Sequence, residues 1–332
     1  MTEATVELET MQFAGDDHVV PFQVEGLDVR GRAVQVGPLL NAILGRHNYP
    51  VPVAKLLAEA IVLTMLIGSS LKFSGKLTVQ TKSDGPVDLL VADFTAPDAI
   101  RAYARFDETR LEDAIAAGKT APQELLGNGV LAFTIDQGVG MRPYQGIVAL
   151  DGSSLEDIAG AYFRQSEQLP TRVRLGVAEF FDRDDEGKGR KGYRAGGIIA
   201  QFLPPSADRL PVQDLHGGDG DERENDLDGN GIDDAWDEAV SLLNTVEAAE
   251  LTDPQVQSER LLYRLFHERG VRIYDAQGVK DQCSCSEEKL KGVLSGFTAE
   301  EITDCAEDGK ISVTCEFCST TYTYQASEFL NS

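Results

Sequence analysis

Four of the five cysteines fall in two short-spaced pairs, Cys283-Ser-Cys285 and Cys315-Glu-Phe-Cys318, with residues 286–314 between them. Two such pairs, each on a turn, present four soft ligands at the corners of a tetrahedron, which is what Zn2+ takes in structural sites. Four unrelated buried thiols would have no reason to adopt this spacing. The reading is one zinc site made by Cys283, Cys285, Cys315 and Cys318. The first pair departs from the two CxxC pairs of ordinary ribbons. A disulfide between residues so close would close a small, strained ring, and strained disulfides are the labile, regulatory ones. Zinc-held thiolates stay nucleophilic enough to meet peroxide or hypochlorous acid. Metal binding is coupled to folding, and a structural zinc contributes about 10–16 kcal/mol. Oxidation that ejects the metal should therefore unfold the module around it.

The remaining candidates are weaker. Cys305 lies on an expected helix between the pairs; it is either a spare thiol for reshuffling or, the favoured reading, a small buried hydrophobe. Asp226, Asp228, Asn230 and Gly231 match positions 1, 3, 5 and 6 of a calcium loop, but Asp237 stands where the bidentate glutamate belongs. Residues 226–237 are read as an acidic turn capping a helix, not as a calcium site. The four histidines, His18, His47, His216 and His267, have no companions at ligand spacing. There is no Ser/His/Asp logic, Walker loop or GxGxxG after a strand, so the expectation is a protein that is not an enzyme.

These cysteines need elements to carry them. Ser286 can cap a helix reaching about Ser295, and Thr298 with Glu301 makes a capping box for another. Ile311–Thr314 and Thr320–Tyr324 read as strands around a turn at Glu316-Phe317. Upstream, Asp214–Glu238 holds eleven acids and one base, a linker or surface composition. Two amphipathic helices follow. One spans about Ala235–Leu251, with Val240, Leu243 and Val246 on a face; the other starts at Asp253-Pro254 and carries Leu261, Leu262, Leu265 and Phe266, with Gly270 past its end.

Residues 1–205 read as one mixed domain. A helix is expected over Val51–Leu71, with Lys55 and Glu59 on a face the apolar residues avoid. Strands are expected at 76–81, 87–92, 101–106, 130–135, 144–150, 172–180 and 194–203, and Ser154 should cap a helix to about Ser166. Asp182–Lys191 is a charged loop closing a long hairpin. The fold class is α+β: a large N-terminal domain (1–205), an acidic and helical linker (206–275) and a small zinc-binding module (276–332).

Of 332 residues, 42% are apolar, enough for a core without disulfides. Fifty-five acids against 30 bases give a net charge of −25, which phosphate backbones repel. Neither a basic leader nor a bilayer-length apolar run is visible. The expectation is a cytoplasmic protein with no nucleic-acid or membrane partner, where clustered thiols mean metal or redox chemistry.

Cys283-x-Cys285 and Cys315-x-x-Cys318 near the C-terminus resemble the bacterial heat shock protein 33 family. So do His47-Asn-Tyr-Pro50, Leu71-Lys-Phe73, Asp84-Gly-Pro86, Leu126–Gly129, Tyr144-Gln-Gly146, Tyr162-Phe163, Ser166–Arg172, Leu262–Glu268, Val271, Tyr274-Asp275 and Val313–Cys318. The resemblance covers about residues 8–330. It implies an ATP-independent holdase that binds unfolding client proteins under oxidative and heat stress. The reduced, zinc-bound form would be inactive. Oxidation would pair Cys283 with Cys285 and Cys315 with Cys318, release zinc, loosen the linker and expose client-binding surface, commonly in a homodimer. The insertion at 214–234 and Cys305 depart from the pattern. Two readings compete. A zinc-ribbon nucleic-acid regulator is opposed by the charge and the CxC pair. A thiol oxidoreductase using Cys315-Cys318 would need a thioredoxin-like βαβ context in place of a hairpin.

Overall fold

Two strands absent from the sequence expectations, β1 (His18–Val24) and β2 (Val29–Val36), begin the chain's first sheet. Neither alternates cleanly, because both of their faces are covered: Val19, Val34 and Val36 enter one core, and Val20, Phe22, Val24 and Val29 enter another. Pro21 inside β1 hides the strand further. The computed structural model describes residues 13–71, 75–138, 141–183, 189–203 and 234–330. The acidic stretch and most of the 226–237 loop lie outside these residues, as do His216 and the tip of the charged hairpin.

Helix α1 (Pro38–Leu44) leads to α2 (Val51–Gly68), with Pro52 in the first turn. Fourteen of the 18 residues of α2 are buried, so this helix, long and apolar enough to cross a membrane, is the central core helix here. It ends three residues short of the expected Leu71. Lys55 is exposed, but Glu59 is not on an open face. Burial, with Glu156 adding repulsion, pushes its carboxyl up to about 7.

The second sheet collects β3 (Lys76–Ser83), β4 (Val87–Thr95), β5 (Ala99–Phe106), β6 (Gly129–Asp136) and β7 (Tyr144–Leu150), with α3 (Glu108–Ala116) and α4 (Pro122–Leu126) between β5 and β6. α5 (Leu155–Tyr162) follows, its first turn capped by Ser154, whose Oγ accepts from Asp157 N, and extended by one wide turn, Phe163–Glu167. β8 (Thr171–Arg183) and β9 (Gly189–Phe202) form the long expected hairpin and complete the first sheet beside β2. Six of the seven expected strands run somewhat longer than predicted, and all seven are present. α2 lies between the two sheets.

The C-terminal third covers the open face of the first sheet. α6 (Asp234–Asn244) stops at Thr245, and α7 (Ala248–Thr252) restarts with Glu247 as its cap. The single helix expected over Ala235–Leu251 is therefore two, because Glu247 and Glu250 form a second capping box in its middle. α8 (Ser258–Phe266) starts later than Asp253-Pro254, which instead form a turn with Asp253 Oδ1 accepting from Gln255 N at 2.8 Å. Trp236, Leu243, Val246, Leu251, Leu261, Leu262, Leu265 and Phe266 are buried against Phe22, Val24 and Ile198, and the Phe22 and Phe266 rings stack at 5.8 Å. Gly31 permits this approach, since a Cβ there would lie 2.3 Å from both the Phe22 ring and Ile199 O. Gly270, at φ 76°, ends the helical segment in the left-handed region.

β10 (Val271–Ile273) and β11 (Gln277–Gly278) then pair with β1, and β12 (Lys280–Asp281) runs parallel to β5. A small module follows: α9 (Glu287–Leu294), α10 (Ala299–Asp304), the hairpin β13 (Lys310–Thr314) and β14 (Thr321–Gln325), and α11 (Ser327–Leu330). The expected Ser286 cap and Thr298–Glu301 capping box are both present.

Candidate metal centre

The two cysteine turns are delivered by different means. β12 fixes the chain on the edge of the second sheet through Lys280 N to Asp98 O at 2.8 Å and Gln282 N to Ile100 O at 3.0 Å. Cys283 and Cys285 follow at once, just before the Ser286 cap of α9. The hairpin supplies the other pair: Cys315 N donates to Thr320 O at 2.9 Å and Ser319 N to Cys315 O at 2.8 Å, with Ser319 at φ 56°. This tight turn folds Cys315 and Cys318 onto one side.

All four sulfurs lie within 4.8 Å of one another. Cys283 and Cys315 Sγ are 3.7 Å apart, and Cys285 and Cys318 Sγ 3.4 Å. A tetrahedral zinc with bonds of about 2.3 Å needs sulfurs about 3.8 Å apart, so the set fits a zinc ion with little adjustment. Among the described residues it is the one group of His, Cys, Asp and Glu placed to share a metal.

The sulfurs compete for charge. Burial pushes the Cys285 thiol up to about 12, with Cys318 and Cys283 raising it further against the Tyr322 hydroxyl, which lies 3.4 Å away. Burial likewise raises Cys315. Burial also works against the Cys318 thiolate, but the Thr320 hydroxyl and backbone and the neighbouring Cys285 and Cys315 outweigh it and bring this thiol down to about 6. Four clustered thiols cannot all ionise without a cation among them, and a divalent metal supplies one.

The surroundings include residues the sequence reading did not single out. Arg101, on β5, points Nη1 at Cys283 Sγ, 3.6 Å away, while Nε and Nη2 hold the Asp93 carboxylate at 2.9 and 2.6 Å. Asp93 is 3% exposed and also accepts from Thr78 Oγ1 at 2.6 Å. Tyr322 was covered by the strand pattern; nothing in the local sequence marks Arg101. Gln35 is the other omission. It is 3% exposed, and its Nε2 faces the carbonyls of Leu251, Asp253 and Val256 at 3.1, 3.3 and 2.8 Å, which fastens the α7–α8 turn to β2.

Cys305 is exposed at the C-cap of α10, not a buried hydrophobe, and lies outside the four-sulfur group. His18 lies with Nδ1 2.7 Å from Asp16 O, and exposed His267 packs on Tyr263. Burial lowers the pKa of His47 against the polar backbone of Glu316 and Phe317.

Residues 17–325 match a family model described as Hsp33 protein. The "33 kDa chaperonin" of Caulobacter vibrioides (strain NA1000 / CB15N) is 43% identical over 310 residues, covering 92% of this chain and 94% of that one. The protein of the same description from Serratia proteamaculans (strain 568) is 36% identical over 311 residues, 93% and 92% of the two chains. The crystal structure of a 33 kDa chaperonin (heat shock protein 33 homolog) from Thermotoga maritima superposes with a TM-score of 0.71, over 95% of this chain and 98% of that one. Its identity is 20%, so it speaks to the mixed α and β fold alone.

Proposed function

Since the chain belongs to the Hsp33 protein family and is a chaperone, we propose that it is a redox-regulated, ATP-independent holdase. The observation that carries the reading is the convergence of Cys283, Cys285, Cys315 and Cys318 within 4.8 Å. These four residues would hold one zinc per chain in the reduced protein. Bound there, zinc would supply the cross-link between the two cysteine turns. Its ligands are also the switch. Each pair gives two electrons to one peroxide, which leaves as two waters, and the sulfurs join as Cys283–Cys285 and Cys315–Cys318 disulfides.

Loss of the cross-link removes the support of a module whose own core is Leu294, Ile302, Ile311, Tyr324 and Ala326. The chain segment before it, α6 to β10, then loosens from the first sheet. That uncovers Val240, Leu243 and Val246, together with Leu261, Leu265 and Phe266 and the sheet face beneath them. Apolar surface of this extent binds other unfolded chains. In this account the N-terminal domain is 1–205, the switching linker 206–275 and the sensor 276–332. The partners are unfolding cytoplasmic proteins, and the oxidised form is a homodimer; neither nucleic acid nor membrane is a partner, and no turnover is involved.

The test is metal analysis and light scattering of a thermally unfolding client, before and after peroxide. One zinc per reduced chain, lost as client aggregation becomes suppressed, is expected. A Cys283→Ser protein that keeps zinc at wild-type affinity would count against this ligand set.

A further inference from the structure

Two of the motifs quoted from the sequence, His47-Asn-Tyr-Pro50 and Val313–Cys318, meet in space. The turn between Cys315 and Cys318 needs only its sulfurs to bind a metal. Yet Phe317, which ligates nothing, is seated against the N-terminal sheets. The Arg101 guanidinium lies 4.0 Å over the centre of its ring, and the Tyr103 ring is 6.3 Å away. Arg46 Nη1 donates to Phe317 O at 3.4 Å while the same guanidinium pairs with Asp281 of β12. His47 packs on Tyr103 at 5.4 Å and on Tyr49 at 5.2 Å, and its buried Nε2 has no hydrogen-bond partner among the described residues.

The cradle is braced from within the large domain. Arg101 is held by Asp93, which Thr78 holds in turn, and Tyr49 Oη accepts from Ala104 N at 3.0 Å, locking the His47 loop to β5. A guanidinium fixed over an aromatic ring is a cation–π site, stronger where water is excluded. Its contacts come from the α1–α2 loop and from β5, so they join the cysteine turn to two segments of the large domain.

We propose that Arg46, His47, Arg101 and Tyr103 form a receptor for the Glu316–Phe317 turn, and that this contact is the latch by which the cysteine centre holds β12 on the second sheet. The inference rests on the redox-switch reading for its biological sense, but its geometry does not. While the four cysteines share a metal, the turn presents Phe317 and its carbonyl to the cradle. When Cys315 and Cys318 leave that arrangement, the turn changes shape, Phe317 withdraws and β12 loses its second attachment.

Hydrogen exchange on reduced, zinc-loaded Phe317→Ala protein tests this. The Lys280 and Gln282 amides, which bond to Asp98 and Ile100, report undocking of β12. They should exchange about 2- to 30-fold faster, the range one cation–π contact converts to. The Tyr324 amide, paired with Ile311 at a hydrogen-bonded position of the β13–β14 hairpin, should keep its wild-type rate, with zinc content unchanged. Tyr103→Leu, which alters the cradle on the large domain and leaves every residue of the cysteine turn and of β12 in place, should give the same pattern if Phe317→Ala proves too disruptive to hold zinc. Wild-type rates at Lys280 and Gln282 in both variants would overturn the latch. Wild-type protein treated with peroxide separates the two claims: if it fails to suppress client aggregation the holdase reading falls, while the exchange rates still decide the docking.

Discussion

The helices α6–α8 and the cysteine-bearing module occupy adjacent stretches of chain and are held by different means. The helices bury Trp236, Leu243, Val246, Leu251, Leu261, Leu262, Leu265 and Phe266 on a sheet already made by other strands. The module buries Leu294, Ile302, Ile311, Tyr324 and Ala326, while Val293, Phe297 and Leu330 stay exposed at 60%, 41% and 43%. A domain below about 70–80 residues rarely gains more than about 3–5 kcal/mol from its core alone. The first region is held by apolar area, which no oxidant touches. The second, in the proposed account, would lean on four half-buried sulfurs, which a thiol oxidant can modify. In the proposed account, a redox-sensitive support downstream of the apolar face would let a chemical event in the weaker region govern exposure of the stronger one.

The largest effect expected from this difference comes from the metal. Chelation under reducing conditions should remove about 10–16 kcal/mol from the module, seen as loss of exchange protection across 283–324. Persistent protection there without metal would make the two regions alike. A smaller effect follows from Leu265→Asp, which puts a carboxylate where Leu265 is 5% exposed. It should cost about 2–5 kcal/mol and give partial suppression of client aggregation in reducing buffer. If hydrophobic-dye binding reports the helices open and the protein is still as inactive as wild type, their release is not the switch.

The Glu59 carboxyl separates the large domain from both regions. Its folded value of about 7 lies above the ordinary 4.5, so the folded state holds the proton more tightly. Its contribution to stability is complete below about pH 4.5 and is lost as pH rises through 7. Glu59→Gln should therefore stabilise the N-terminal domain at pH 8 by about 3 kcal/mol in thermal melts, with little gain at pH 4. It should leave zinc-dependent protection of 283–324 unmoved. The smallest change is Gln35→Ala, which strips a donor from three carbonyls of the α7–α8 turn. About 1–3 kcal/mol is expected, with faster exchange confined to residues near 251–256.

The site was far more legible than its supports. Cysteine spacing picked out the four residues that the structure brings together, and local chemistry at Ser286, Thr298 and Glu301 placed the module's helices. Those signals are short-range, so they survive in sequence. β1 and β2 escaped because strands buried on both faces lose their alternation. The break at Thr245 escaped because a capping box inside an amphipathic stretch leaves its apolar period almost intact. Arg101 and Gln35 act on partners distant in sequence, across 182 and 216 positions, and no local pattern marks such residues. Cys305 was misplaced because the helix expected to carry it ends at Asp304, which leaves the thiol at its exposed cap.

The central claim is that oxidation of the cysteine centre frees helices it does not itself contain. Hydrogen exchange on the full chain, reduced and then peroxide-treated, measures this most directly, with aggregation suppression followed in parallel. Protection should fall across 283–324 and also across 234–266, while β3 to β6 hold theirs. Oxidised protein that suppresses aggregation with 234–266 still protected would contradict the account.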